Sequence, residues 1–241
     1  VIVILCHADD APGIWLHGVL RALGLKGLEL VAVEQLVYSR RIVHRLDDGG
    51  DRGEIHLADG RVLRAESIGG LINRVRYLPT EHFARADPSD RAYATQELSA
   101  FVLAWLDSVA GRVINPPLPY ALDGGTFPPT TVLHCAAMAG LPIRTWRAGT
   151  NPVEDQTEPE IIPTHAPIVF DRRVFGRILP RDLQEGCLRL TVLLGVPLLQ
   201  VLLHHSAHLG WRFVGATGMA DFNVGGRTLA AAFARAFEAA R

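Results

Sequence analysis

The chain has 241 residues, 49% of them apolar and 20% charged, with a formal net charge of -1. That length holds one large domain or two small ones with a full core, and the near-neutral balance offers no footprint for a polyanion, which excludes general nucleic-acid binding. The longest apolar run, "CLRLTVLLGVPLLQVLL" at 187–203, is broken by Arg189, Gly195 and Pro197, so no membrane span is expected. The cysteines Cys6, Cys135 and Cys187 show no C-x-x-C spacing and fit small buried side chains in a reducing compartment; a cytoplasmic location is expected. The opening "VIVIL" carries no basic n-region, so no signal peptide is expected. One lysine, Lys26, stands against 23 arginines, which leaves no lysine for chemistry beyond residue 26.

In chain order, "VIVILCHADD" reads as a buried strand with polar residues at its carboxyl end. A helix at 12–25 and a strand at 28–37 follow, giving a β-α-β opening with a parallel pair. The stretch from Arg41 to Val75 alternates, with turns at Asp48-Gly49-Gly50 and Asp59-Gly60, and predicts hairpins. A helix spans 87–111, capped by Asp87 or Ser89 and stopped by Gly111. "RVINPP" is a short strand, 118–128 a Pro- and Gly-rich loop, 129–140 a short helix and 141–148 a strand. Residues 149–166 read as a linker or exposed loop. A tight hairpin at 167–179, a helix at 180–194, strands at 196–204 and 211–217 and a helix at 226–240 complete the chain.

Several clusters could carry chemistry. Asn73, Arg74 and Arg76 lie in "INRVRYLP"; the two arginines share a face if the strand continues, and paired guanidiniums suit a carboxylate. They could equally pair with Glu81 or Asp87. Asp221 and Asn223 stand before the last helix, where an acid and an amide two residues apart either ligate a ligand or cap the helix. Cys6, His7, Asp9 and Asp10 sit where the first strand ends, a favoured crevice in open α/β sheets, and admit a nucleophile-base reading. His204, His205 and His208 share a face only in a helix, which the preceding strand argues against. Arg172 and Arg173 read as surface charge.

"GLINRVRYLP", a helix containing Glu97-Leu98, "RVINPP", "AAMAGLPI", "LLGVPLLQV" and "WRFVGATGMADFNVGG" occur in an order that resembles the ATP-grasp superfamily. The nearest look is to carboxylate–amine ligases that modify ribosomal peptides or add glutamate. The resemblance implies an α/β fold: a Rossmann-like pre-ATP-grasp domain at 1–117, then a reduced ATP-grasp-like α+β domain at 118–241. It also implies Mg·ATP, held by an acid on one strand, an E-x-N pair on the next, and lysines around the triphosphate.

The sequence departs at each of these places. The E-x-N position reads Gly215-Ala216-Thr217, the acidic strand reads Val201-Leu202-Leu203, and the lysine before "GLP" falls near Pro129. Only about thirty residues separate "RTWRAGT" from the helix at 180, too few for the sheet that covers the nucleotide. The expectation is a non-catalytic, degenerate ATP-grasp-like protein with no cofactor. It would bind a peptide, a small acid or a partner ligase, through Asn73, Arg74, Arg76, Asp221 and Asn223, as a homodimer or in complex with an intact ligase. The alternative is an active minimal ligase forming an amide through an acyl phosphate, with ATP and Mg. A third reading is an unrelated α/β fold with its own chemistry at residues 6–10.

Overall fold

The computed structural model describes residues 1–47, 50–109, 111–143 and 161–239. Strand β1 (Ile2–Cys6), helix α1 (Ala11–Ala22) and strand β2 (Leu28–Ala32) form the expected β-α-β opening, with β1 and β2 parallel. The second strand ends five residues earlier than the sequence suggests. Val33, Leu36 and Val37 are buried at helical spacing, and the Gln35 side chain accepts the Ala32 N–H at 3.0 Å, so Val33–Val37 turns into a short helix α2.

The hairpin region divides in two. Strands β3 (Arg41–Asp47), β4 (Gly50–His56) and β5 (Val62–Arg64) form an antiparallel sheet, with Gly60 at φ 92° in the second turn. The tip at Asp48-Gly49 lies outside the described residues. Strand β6 (Gly70–Arg74) is not part of this meander: it pairs in parallel with β1. All five of its residues are buried, so both of its faces are covered, and short-range alternation misreads it. After helix α3 (Pro88–Asp107), capped by the Asp87 carboxylate on Ser89 N–H, strand β7 (Arg112–Ile114) completes a four-stranded parallel sheet in the order β2-β1-β6-β7.

The second half opens with helix α4 (Pro129–Met138). Residues 144–148 of the expected strand and 149–160 of the expected linker lie outside the described residues. Strands β8 (Ile168–Phe170) and β9 (Arg173–Phe175), helix α5 (Arg181–Leu194), strands β10 (Leu198–Ser206) and β11 (Gly210–Thr217) and helix α6 (Phe222–Glu238) follow in the expected order. The strands make an antiparallel sheet ordered β11-β10-β8-β9. Asp171 and Arg172 both take left-handed φ, at 49° and 59°, which closes the β8–β9 hairpin in two residues.

Alternation along β1 sorts its side chains between two cores. Ile2, Ile4 and Cys6 meet α1 and α6, while Val3 and Leu5 meet α3 and the three-stranded sheet. Helix α6 packs on both four-stranded sheets at once. Its Phe233 ring lies 4.3 Å from Phe170 on β8, and Phe237 covers Gly70 on β6. One core therefore runs across residue 117, joining Ile72 and Ile114 to Leu198 and Phe222. A third cluster packs α4 and α5 against the other face of the second sheet, through Leu183, Leu190, Leu199 and Val201.

Two glycines should respond oppositely to one methyl group. A Cβ on Gly70 would meet the buried Phe237 ring at a distance no real Cβ tolerates, whereas exposed Gly18 in α1 has no neighbour within 4 Å. Gly70→Ala is expected to destabilise by about 1–3 kcal/mol and Gly18→Ala to stabilise by about 0.5–1 kcal/mol, read from urea midpoints.

Candidate functional site

Parallel strands present their carboxyl ends together, and here β1 and β6 bring the 6–10 loop beside Asn73 and Arg74. Arg74 is 3% exposed. Its Nε and Nη2 donate to the Asp10 carboxylate at 2.5 and 2.9 Å, its Nη1 donates to the Ala220 carbonyl at 2.9 Å, and its plane lies 4.6 Å from the Phe222 ring centre. One guanidinium thus joins the loop after β1, the end of β6 and the start of α6. Gly13 makes the approach possible, since a Cβ there would stand 3.0 Å from Asp10 Oδ2 and from Cys6 Sγ.

Asn73 is also fully engaged. Its Nδ2 donates to the carbonyls of Asn115 and Leu122, at 3.0 and 2.6 Å, and its oxygen accepts Val75 N–H. Asn115 in turn bridges the two sheets: its Nδ2 donates to the Leu198 carbonyl and its Oδ1 accepts Leu198 N–H, both at 3.0 Å. Sequence reasoning missed Asn115 and the Ala220 carbonyl. The only signal for the first was an asparagine placed between a strand and two prolines.

The expected two-guanidinium face does not form. The strand ends at Arg74, whose side chain turns inward, while Arg76 is half-exposed and lies 3.9 Å from Asp9. Glu81 and Asp87 partner neither; Glu81 accepts the Tyr38 hydroxyl and Asp87 caps α3. Asp221 accepts the N–H and the Nδ2 of Asn223, at 3.1 and 2.8 Å, which is the capping arrangement.

Cys6 and His7 do not make a nucleophile-base pair. Burial, reinforced by the Asp10 charge, pushes the Cys6 thiol up to about 12, so no thiolate exists near neutrality. His7 Nδ1 lies 3.2 Å from Glu34, and its ring stacks on Tyr77 at 4.3 Å. The three histidines near β10 also separate. His204 Nδ1 bonds the Ile162 carbonyl at 2.8 Å, His205 packs on Trp211, and His208 lies in the turn. Arg172 and Arg173 are exposed on their hairpin, as expected of surface charge.

On the second sheet, Gly215 lies directly opposite Leu202 and Ala216 opposite Val201. Leu202, Gly215, Ala216 and Pro129 line one cavity of about 570 Å³, completed by Phe127, Val132, Leu133, Ile161, Pro163, Phe213 and Val214. None of these eleven lining residues is ionisable. A hard divalent cation needs oxygen ligands and a triphosphate needs cations, and the described lining offers no ionised side chain of either kind. Among the described residues, no group of His, Cys, Asp and Glu is placed to hold a metal.

The fold can be compared with solved structures. The macrocyclase MdnC of Microcystis aeruginosa MRC, bound with precursor peptide MdnA, superposes with a TM-score of 0.76 at 12% identity, covering 99% of each chain. A RiPP-associated ATP-grasp ligase of Chryseobacterium gregarium, in complex with ADP and a leader and core peptide, gives 0.70 at 12% identity, over 100% of this chain and 97% of that one. The ATP-grasp ligase PsnB with a minimal precursor gives 0.67 at 17% identity, over 99% and 98%. The chain has the ATP-grasp fold. No protein-family model matches the sequence, and a search of curated proteins finds no relative. Among the described residues, no helix is long and apolar enough to cross a membrane.

Asp10→Asn should leave the Arg74 charge buried and uncompensated, at a cost of about 3–5 kcal/mol in urea unfolding, and the double replacement Asp10→Leu with Arg74→Met should cost less. Thiol labelling of the native protein at pH 8 should reach half-buried Cys135 alone. Cys6 and Cys187, both held near 12 by burial, should react only after unfolding.

Proposed function

We propose that this chain is an ATP-grasp-like protein without ligase chemistry, which binds a carboxylate-bearing peptide or small acid, alone or beside an intact ligase. One observation carries the reading. Of the places where the resemblance calls for ionised side chains, Pro129, Leu202 of Val201-Leu202-Leu203 and Gly215-Ala216 of Gly215-Ala216-Thr217 line one cavity whose described residues carry no charge. Removing one ionic group could be compensated by a neighbour; losing them at each of these places leaves, among the described lining residues, no charge to offset the one that develops on phosphoryl transfer.

In this reading the chain keeps a two-unit plan, 1–117 and 118–241, with α6 as the shared element. Arg76 is the residue that meets a ligand carboxylate. It is half-exposed and lines a cavity of about 320 Å³ together with Ser99, Tyr120 and Asp123. Asn73, Arg74, Asp221 and Asn223 position the segments around it rather than touching ligand, because their polar atoms are committed to Asn115, Asp10, Ala220 and the α6 cap. Association with a second copy or with an intact ligase belongs to the same proposal.

The second reading, an active minimal ligase, draws on the fold match to PsnB, whose structure with a phosphomimetic precursor variant holds Mg and ADP. Calorimetric titration of the full chain with ATP, with and without magnesium, separates the two. The expected result is no saturable heat in either arm and no change in Tm. A magnesium-dependent, saturable heat would replace this reading with the ligase one.

A further inference from the structure

The cavity beside Arg76 holds a buried charge. Asp123 lines it and is only 4% exposed. Its Oδ1 accepts the N–H groups of Gly125 and Thr126 at 3.2 and 3.1 Å, and its Oδ2 accepts the Thr126 hydroxyl at 2.7 Å. All three donors are neutral. A carboxylate accepts about four hydrogen bonds, so Oδ2 keeps one acceptor site. Among the described residues no cation pairs with Asp123. A buried carboxylate without a cation is costly, which points to a positively charged group on whatever fills the cavity.

Arg76 lines the same cavity and supplies the opposite sign. Its one acid, Asp9, stands 3.9 Å away and is itself mostly exposed, a pair that water weakens. Arg76 makes no ion pair with Asp123, so the two charges border one space without meeting. The buried carboxylate lies in the wall and the half-exposed guanidinium at the mouth. Half-buried Leu103, Leu118 and Leu122 give the same space an apolar side. The loop is held in place beforehand. Leu118 and Ala121 exchange backbone hydrogen bonds at 2.9 and 3.0 Å, and Asn73 Nδ2 donates to the Leu122 carbonyl. At about 320 Å³ the cavity stands at the small end of ligand pockets, about 300–1,000 Å³, and takes one small molecule rather than several peptide residues.

We propose that this cavity binds a free α-amino acid with a branched aliphatic side chain, as its zwitterion. The ammonium meets Asp123, the carboxylate meets Arg76, and the side chain lies on Leu103, Leu118 and Leu122. The proposal rests on the carboxylate-binding reading of Arg76 above and narrows it from a peptide or any small acid to one dipolar molecule. A plain acid leaves Asp123 without a counter-charge, and a plain amine leaves Arg76 with Asp9 alone; a zwitterion satisfies both. The cavity shares no described lining residue with the uncharged one over β10 and β11, so what is proposed is binding without reaction.

The test is calorimetric titration of the full chain, near neutral pH, with three ligands: L-leucine, 4-methylpentanoate, which lacks the amine, and leucinamide, which lacks the carboxylate. L-Leucine should bind saturably and the other two about tenfold more weakly or worse, as loss of a charge-assisted contact implies. Arg76→Gln should weaken L-leucine by a similar factor. Asp123→Asn keeps an oxygen for the Gly125 and Thr126 N–H groups; it should weaken L-leucine yet strengthen 4-methylpentanoate, whose charge the native carboxylate repels. A purely structural role for Asp123 would weaken both. Unchanged Tm verifies each variant, and the three-ligand series on the wild-type chain decides the question if Asp123→Asn lowers Tm. Equal binding of L-leucine and 4-methylpentanoate would overturn the zwitterion and leave the small-acid function standing. L-Leucine binding that survives Arg76→Gln would overturn the site. Silence from all three ligands would overturn this proposal, and the carboxylate-binding function falls with it only if an acidic peptide is silent as well.

Discussion

A buried guanidinium holds this molecule in register. Arg74 is almost fully enclosed, and every direction in which it donates leads to a different part of the chain: Asp10 after the first strand, Ala220 before the last helix, and the Phe222 ring beneath its plane. Desolvating that charge is expensive, and only a paired carboxylate plus a carbonyl bond makes it tolerable. The arrangement therefore exists only when α6 is seated on both sheets. Packing alone would let apolar helices slide; a charge that must be satisfied at one point does not. Specificity of docking, more than net stability, is what such a pair supplies in the reading advanced here.

In the function proposed above, the same logic lets the cleft over β10 and β11 do without ionic chemistry while the fold stands. Leu202, Gly215 and Ala216 sit on a paired antiparallel ladder whose hydrogen bonds are made by backbone, so their side chains are free to change. Apolar residues there avoid the desolvation penalty that catalytic carboxylates and lysines carry. A site of this kind trades activity for stability when its ionised groups are replaced, whereas the Arg74–Asp10 pair does not, because it is built into the contact between the two halves.

Most of the element order was legible in the sequence, because helical spacing around Leu16 and Leu20, the Asp87 cap and the Asp59-Gly60 turn are local signals. The failures were long-range. Strand β6 looked like another hairpin strand, and only its pairing with β1, nearly seventy residues earlier, shows why Asn73 and Arg74 are buried. The reading of Arg74 and Arg76 as a pair assumed a strand continuing past Arg74, and burial of Arg74 against Asp10 could not be seen without the α6 contact from residue 220. Asn115 carried only the faint signal of an amide between a strand and two prolines, since its partners are 42 and 83 positions away. The departures at Val201-Leu202-Leu203 and Gly215-Ala216-Thr217 from the pattern that the resemblance implies are local to the sequence, and the structure places the two stretches on paired neighbouring strands.

Asn115 acts mechanically on the seam between the two four-stranded sheets. By both giving and receiving a bond with the Leu198 backbone, one carboxamide replaces a rung of sheet between β7 and β10. A rung has a fixed length, so the seam it closes cannot hinge without breaking two bonds inside a dry environment. A seam stitched this way resists hinging between β7 and β10 and serves as an anvil. Whatever lands on such an anvil meets a surface already in its final shape, and the ordering needed for association falls on the visitor alone.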